Sequence, residues 1–182
     1  MQINYHGYAI VVYLLSSILD AFDGLAARYF NQCSELGAVL DMVTDRSTTA
    51  GLICYLCILY PNFCMIFQFL LGLDLSSHYI QMFSSLRQGE SSHKNVKDKG
   101  WSILKLYYTN RTALFLVCAF AELFYVFLYI IKLEQFEFMK SFTTNALYVV
   151  FPVWLLKQVI NVIQLKRGCQ ILVSIQEAQK KN

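Results

Sequence analysis

Charge is scarce in this chain: only 15% of its 182 residues are Asp, Glu, Lys or Arg. With 57% apolar residues and a mean hydropathy of +0.45, that scarcity excludes an ordinary soluble domain and leaves a polytopic membrane protein. A net charge of +3 is too small to argue for a nucleic-acid partner. The six cysteines show no spacing pattern of a disulfide framework. Cys54 and Cys57 make a C-x-x-C, but in an apolar run with no second pair and no histidine nearby, so they read as small apolar residues of a helix. Met1–Gly7 holds no cationic stretch and Tyr8–Leu19 runs directly into Asp20, so a cleavable signal is not expected. Tandem repeats and low-complexity tracts are absent. Inverted repeats, the mark of many transporters, are absent too. No retention signal stands at Gln179–Asn182.

Apolar runs are what the chain has in quantity. One spanning helix takes about 20 mainly apolar residues. Five runs qualify: Tyr8 to about Arg28, Leu36–Leu59, Phe63–Phe83, Thr112–Ile131 and Thr143–Leu165. The expected fold is all-α, a polytopic transmembrane helix bundle forming a single domain over 1–182. Gly51 and Gly72 inside these runs suit helix packing. Basic residues give the orientation. The Ser84–Arg111 connection holds Arg87, Lys94, Lys97, Lys99, Lys105 and Arg111, and the tail at 166–182 holds Lys166, Arg167, Lys180 and Lys181. The Tyr60–Asn62 turn has no charge, and the Lys132–Lys140 turn balances two lysines against Glu134 and Glu137. Positive-inside bias then puts the basic loop, the tail and the turn after Asp20/Asp23 on the cytosolic side, against anionic headgroups.

Against this apolar background stand two aspartate pairs, Asp20/Asp23 and Asp41/Asp45. Members of a pair lie three or four residues apart, so each pair shares one helix face. Four carboxylates converging beside a bilayer would repel by on the order of several kcal/mol unless a cation lies between them. Carboxylate-only ligands favour a hard ion, Mg²⁺ or Mn²⁺, over zinc. A purely salt-bridged turn is the rival reading, but Arg28 and Arg46 are two cations against four acids. Arg46, next to Asp45, points elsewhere on a helix and reads as a membrane-interface anchor.

Written out, the segment is D-x-x-D-G-x-x-A-R, eight residues, then G-x-x-x-D-x-x-x-D, from Asp20 to Asp45. It resembles the signature of the CDP-alcohol phosphotransferase family, with all eight fixed positions filled. Leu14–Gly24, Leu40–Arg46, Leu73–His78 and Tyr107–Phe115 resemble more narrowly the branch of that family that makes phosphatidylinositol in eukaryotes. The likeness runs from about Tyr13 to the tail. The family normally places a further helix before the first aspartates, opened by a P-N-x-x-[ST]-x-x-R-like segment; nothing like it precedes Asp20, so five helices are expected rather than six.

The resemblance implies transfer of a phosphatidyl group from CDP-diacylglycerol to myo-inositol, releasing CMP, in the endoplasmic reticulum, by a homodimer using two divalent ions, Mg²⁺ or Mn²⁺. It implies that Asp20, Asp23, Asp41 and Asp45 hold the metals, with Asp20 and Asp41 bridging and Asp45 also the general base. Gly24, Ala27, Arg28 and Gly37 would bind CDP-diacylglycerol, Arg28 gripping a phosphate; packing alone could also explain the glycines. For inositol the candidates are Ser92, His93, Lys94 and Arg111, whose plain alternative is a solvated basic loop. Serine, glycerol phosphate or an amino alcohol are alternative acceptors, and an inactive form acting through a full-length partner and an ion or proton pathway are the readings from other classes.

Deeper polar residues form stripes: Asp74, His78 and Gln81 in the third helix, Lys157, Asn161 and Gln164 in the fifth. Such stripes face the bundle or a wet cavity. Internal pairing, for instance Glu122 with Lys157, is the expected use, and His78 reads as structural.

Overall fold

The computed structural model describes residues 5–88 and 110–180. Among the described residues there are five long helices: α1 (Tyr5–Tyr29), α2 (Glu35–Leu59), α3 (Cys64–Arg87), α4 (Arg111–Lys132) and α5 (Lys140–Lys180). Short 3₁₀ turns, Pro61–Phe63 and Glu134–Met139, precede α3 and α5, and no strand occurs among the described residues. The chain divides into two compact units, Met1–Ala50 and Gly51–Asn182.

Among the described residues, four helical stretches are long and apolar enough to cross a membrane: Gly7–Tyr29, Pro61–Arg87, Thr112–Lys132 and Phe136–Lys180. The expected span at Leu36–Leu59 does form a 25-residue helix. It falls outside the four because Glu35, Asp41, Asp45 and Arg46, followed by Ser47, Thr48 and Thr49, fill its first half. The fifth expected span is exceeded: α5 runs for 41 residues, through what sequence alone places in a tail. At about 1.5 Å per residue it is roughly 60 Å long, about twice the hydrocarbon thickness.

The first unit is built around a tight connection. α1 ends in a Schellman motif: Gln32 N–H donates to Ala27 O at 2.8 Å, Asn31 N–H to Arg28 O at 3.3 Å, and Asn31 takes a left-handed φ of 53°. Asparagine tolerates that conformation better than most residues. Ser34 then caps α2, its hydroxyl accepting from Gly37 N–H at 3.0 Å. Leu15, Ile18, Leu19 and Phe22 of α1 are exposed.

In the second unit α5 packs along both α3 and α4. The α4–α5 contact is aromatic: Phe124 stacks on Trp154 with centroids 4.3 Å apart, and Phe151 and Tyr125 adjoin the same indole. Asn110 caps α4, accepting from Thr112 and Ala113 N–H. Tyr60 donates its phenol to Leu128 O at 2.7 Å, and burial raises that phenol's pKa, keeping the donor protonated.

The α3–α5 contact is polar. Asn161 donates to Asp74 Oδ1 at 3.2 Å and Gln164 to Ser77 O at 3.5 Å, while Gly168 meets Ile80. These pairs keep a nearly constant sequence offset, so the two helices run parallel in one register. Apolar surface gives helices no reason to associate within lipid, whereas small and hydrogen-bonding residues do. The two predicted stripes therefore face each other.

Candidate active site

Asp20 and Asp23, three residues apart on α1, project together, and the turn at 30–34 brings α2 back with Asp41. One carboxylate oxygen from each of the three lies within 4.8 Å of the others. Asp20 and Asp41 are half-buried and Asp23 is exposed. Among the described residues no other group of three or more His, Cys, Asp or Glu side chains converges this closely. Three carboxylates without histidine or thiolate suit a hard divalent cation rather than zinc. An open cleft of about 500 Å³ adjoins them, lined by Leu19, Asp20, Phe22, Asp23, Ala26 and Thr44.

Asp45 stands apart from this trio. Its Oδ2 accepts from Arg46 Nη2, an ion pair between chain neighbours. Arg46 is only 5% exposed. The expected interface anchor is thus a buried cation beside the expected base, because a long guanidinium stem can fold along the helix to its neighbour. Asp45 remains half-buried at the same helix's surface.

Arg28 folds back over the α1 face as its spacing predicts. Its Nη1 and Nη2 lie 3.5 and 3.7 Å from where a Cβ on Gly24 would stand, so the absent side chain leaves room for the guanidinium. A Cβ on Gly37 would come within 3.1 Å of Ser34 Oγ, so this glycine accommodates the cap of α2. Ala27 is half-buried and contributes its carbonyl to the Schellman motif; Ala26 lines the cleft instead. Thr44, which sequence reasoning missed, lines the cleft too, its hydroxyl donating to Leu40 O and Asp41 O at 2.8 and 3.1 Å. Its position three residues after Asp41 was the available signal.

Residues 1–175 match the family described as CDP-alcohol phosphatidyltransferase. The chain belongs to that family. Among curated proteins it is 50% identical to the CDP-diacylglycerol--inositol 3-phosphatidyltransferase of Saccharomyces cerevisiae, over 94% of this chain and 77% of that one. It is 43% identical to the Schizosaccharomyces pombe protein of the same name, covering 96% and 81%. The Homo sapiens protein of that name is 41% identical, over 92% and 80%. No solved structure matches the chain.

Other CDP-alcohol phosphatidyltransferase candidates fall elsewhere. Ser92, His93 and Lys94 lie outside the described residues. Arg111 opens α4, and its side chain is also outside the described set. Of the deep polar residues, Asp74, His78, Gln81, Lys157, Asn161 and Gln164 are buried at the α3–α5 contact, and Glu122 is half-buried on α4. His78 Nδ1 lies 2.8 Å from Asp74 O, which places its proton there. Lys157 Nζ donates to Asn161 Oδ1 at 3.0 Å and lies 3.4 Å from His78 Nε2. With Asn161 on Asp74, the four side chains close a ring.

Proposed function

We propose that this integral membrane protein transfers the phosphatidyl group of CDP-diacylglycerol to myo-inositol, yielding phosphatidylinositol and CMP. The carrying observation is the convergence of Asp20, Asp23 and Asp41 within a chain half identical to a named inositol phosphatidyltransferase. Asp20, Asp23 and Asp41 would hold divalent metal, Mg²⁺ or Mn²⁺, with Asp45 completing the set for two ions. Bound there, such ions would supply charge neutralisation of the diphosphate and of the departing phosphate of CMP. Arg28 grips a phosphate oxygen with its planar fork, above the space left by Gly24. Ala27 and Gly37 leave clearance for the nucleotide.

Asp45 accepts the proton of an inositol hydroxyl, and the resulting oxygen attacks the β-phosphorus as the bond to CMP breaks. The ion pair with Arg46 holds the base on its rotamer until the hydroxyl arrives. Ser92, His93, Lys94 and Arg111 supply the hydrogen-bonding groups a polyol needs. Binding and charge neutralisation lower the barrier without a covalent enzyme intermediate. The site faces the cytosol from the endoplasmic reticulum membrane, in a homodimer.

The test is CMP release from CDP-diacylglycerol in mixed micelles by the purified chain, with Mg²⁺ or Mn²⁺. Release that requires myo-inositol and stops with chelator supports the reading. Release driven by serine, glycerol phosphate or an amino alcohol instead overturns the acceptor.

A further inference from the structure

Cys57 stands near the end of α2, and Cys64 is the first residue of α3. Between them the backbone is tightly folded: Tyr60 N–H donates to Leu56 O and Phe63 N–H to Tyr60 O, both at 2.9 Å, and Cys64 N–H to Pro61 O. This geometry brings the two cysteines into contact. Cys57 Sγ donates to Cys64 O at 3.8 Å. Gln68, one turn into α3, donates to Cys64 Sγ at 3.5 Å and holds that sulfur beside the turn. Both thiols are partly exposed. Their side chains project from the helix ends that flank an uncharged turn, on the membrane face opposite the basic loop.

We propose that Cys57 and Cys64 form a reversible disulfide joining the end of α2 to the start of α3. The pairing rests on the local geometry alone; its occurrence in the cell rests also on the orientation above, which gives the turn to the oxidising side. A disulfide such as glutathione disulfide is the oxidant. One cysteine thiolate attacks a glutathione sulfur, forming a mixed disulfide, and the released glutathione thiolate takes up a proton. The second cysteine attacks the protein-bound sulfur and expels the second glutathione. Two protein thiols are oxidised and one glutathione disulfide is reduced. The new bond constrains the unfolded chain across the turn and lies at the end of the helix that carries Asp41 and Asp45.

The reduced, purified full chain is incubated with glutathione disulfide, unfolded in detergent, mass-tagged on free thiols and digested without reductant. Taggable thiols are expected to fall by two from six, with one peptide pair linked through Cys57 and Cys64. No such link forms in Cys57→Ser or Cys64→Ser. Dithiothreitol restores all six thiols and lowers the unfolding temperature of the wild-type chain. Six thiols that stay taggable overturn the proposal, as does a link through Cys54 or between two chains. Because the readout is mass, a failure here leaves the transferase reading standing, and an inactive enzyme leaves the disulfide standing.

Discussion

Arg46 is buried and donates to the carboxylate of its own chain neighbour, Asp45, and Asp20, Asp23 and Asp41 converge within 4.8 Å of one another. The signature thus gives a convergent trio of carboxylates and, on the same helix as Asp41, a fourth that is paired with a guanidinium.

Asp45→Asn removes the proposed base while keeping its size. Inositol-dependent CMP release is expected to fall roughly 10²–10⁴-fold. Because the neutral amide also leaves the buried Arg46 a poorer partner, stability falls by about 1–3 kcal/mol, read by thermal unfolding in detergent. Near-normal turnover would remove Asp45 from the proton-transfer role.

Asp41→Ala takes away one of the three converging oxygens. Turnover is expected to drop on the order of 10²–10³-fold, the scale of losing one group that stabilises transition-state charge. Mn²⁺ binding measured by electron paramagnetic resonance weakens in parallel. If the variant kept full chelator-sensitive activity, the metal assignment would be wrong.

Gly24→Ala puts a methyl carbon 3.5 Å from Arg28 Nη1, an ordinary contact, so the chain folds. Gly24→Leu pushes the guanidinium aside. KM for CDP-diacylglycerol is expected to rise little in the first and at least tenfold in the second, about 1.4 kcal/mol of lost binding. Equal KM values in both would separate Arg28 from the phosphate.

Gly168→Ala would place its Cβ 2.7 Å from Ile80 Cγ2 and 3.2 Å from the Ile80 carbonyl. Overpacking of this kind costs about 1–3 kcal/mol. Adding Ile80→Ala removes the shorter contact but not the backbone one, so unfolding measurements should show partial recovery. Complete recovery would mean that the backbones separate freely.

Lys157→Met breaks the ring linking Asp74, His78, Lys157 and Asn161. Removing the ammonium leaves buried Asn161 Oδ1 without its donor, at a cost of about 1–3 kcal/mol read by thermal unfolding. A variant as stable as the wild type would show that the ring contributes nothing.

Composition determined the membrane class, and local spacing the presence of the helices and the face each aspartate pair shares, because spacing acts on residues within a turn or two of one another. D-x-x-D and D-x-x-x-D put carboxylates on one side of a helix whatever surrounds them, and Arg28 reaches back over Gly24 for the same local reason. Only the tertiary structure decided that the stripe on α3 meets the stripe on α5, that Lys157 turns to His78 and Asn161, and that Arg46 is buried. The same holds for the contact of Cys57 with Cys64, which a reading of C-x-x-C passes over. Helical periodicity states which residues share a face; which face another helix covers depends on packing between segments far apart in the chain, and local spacing carries no record of it.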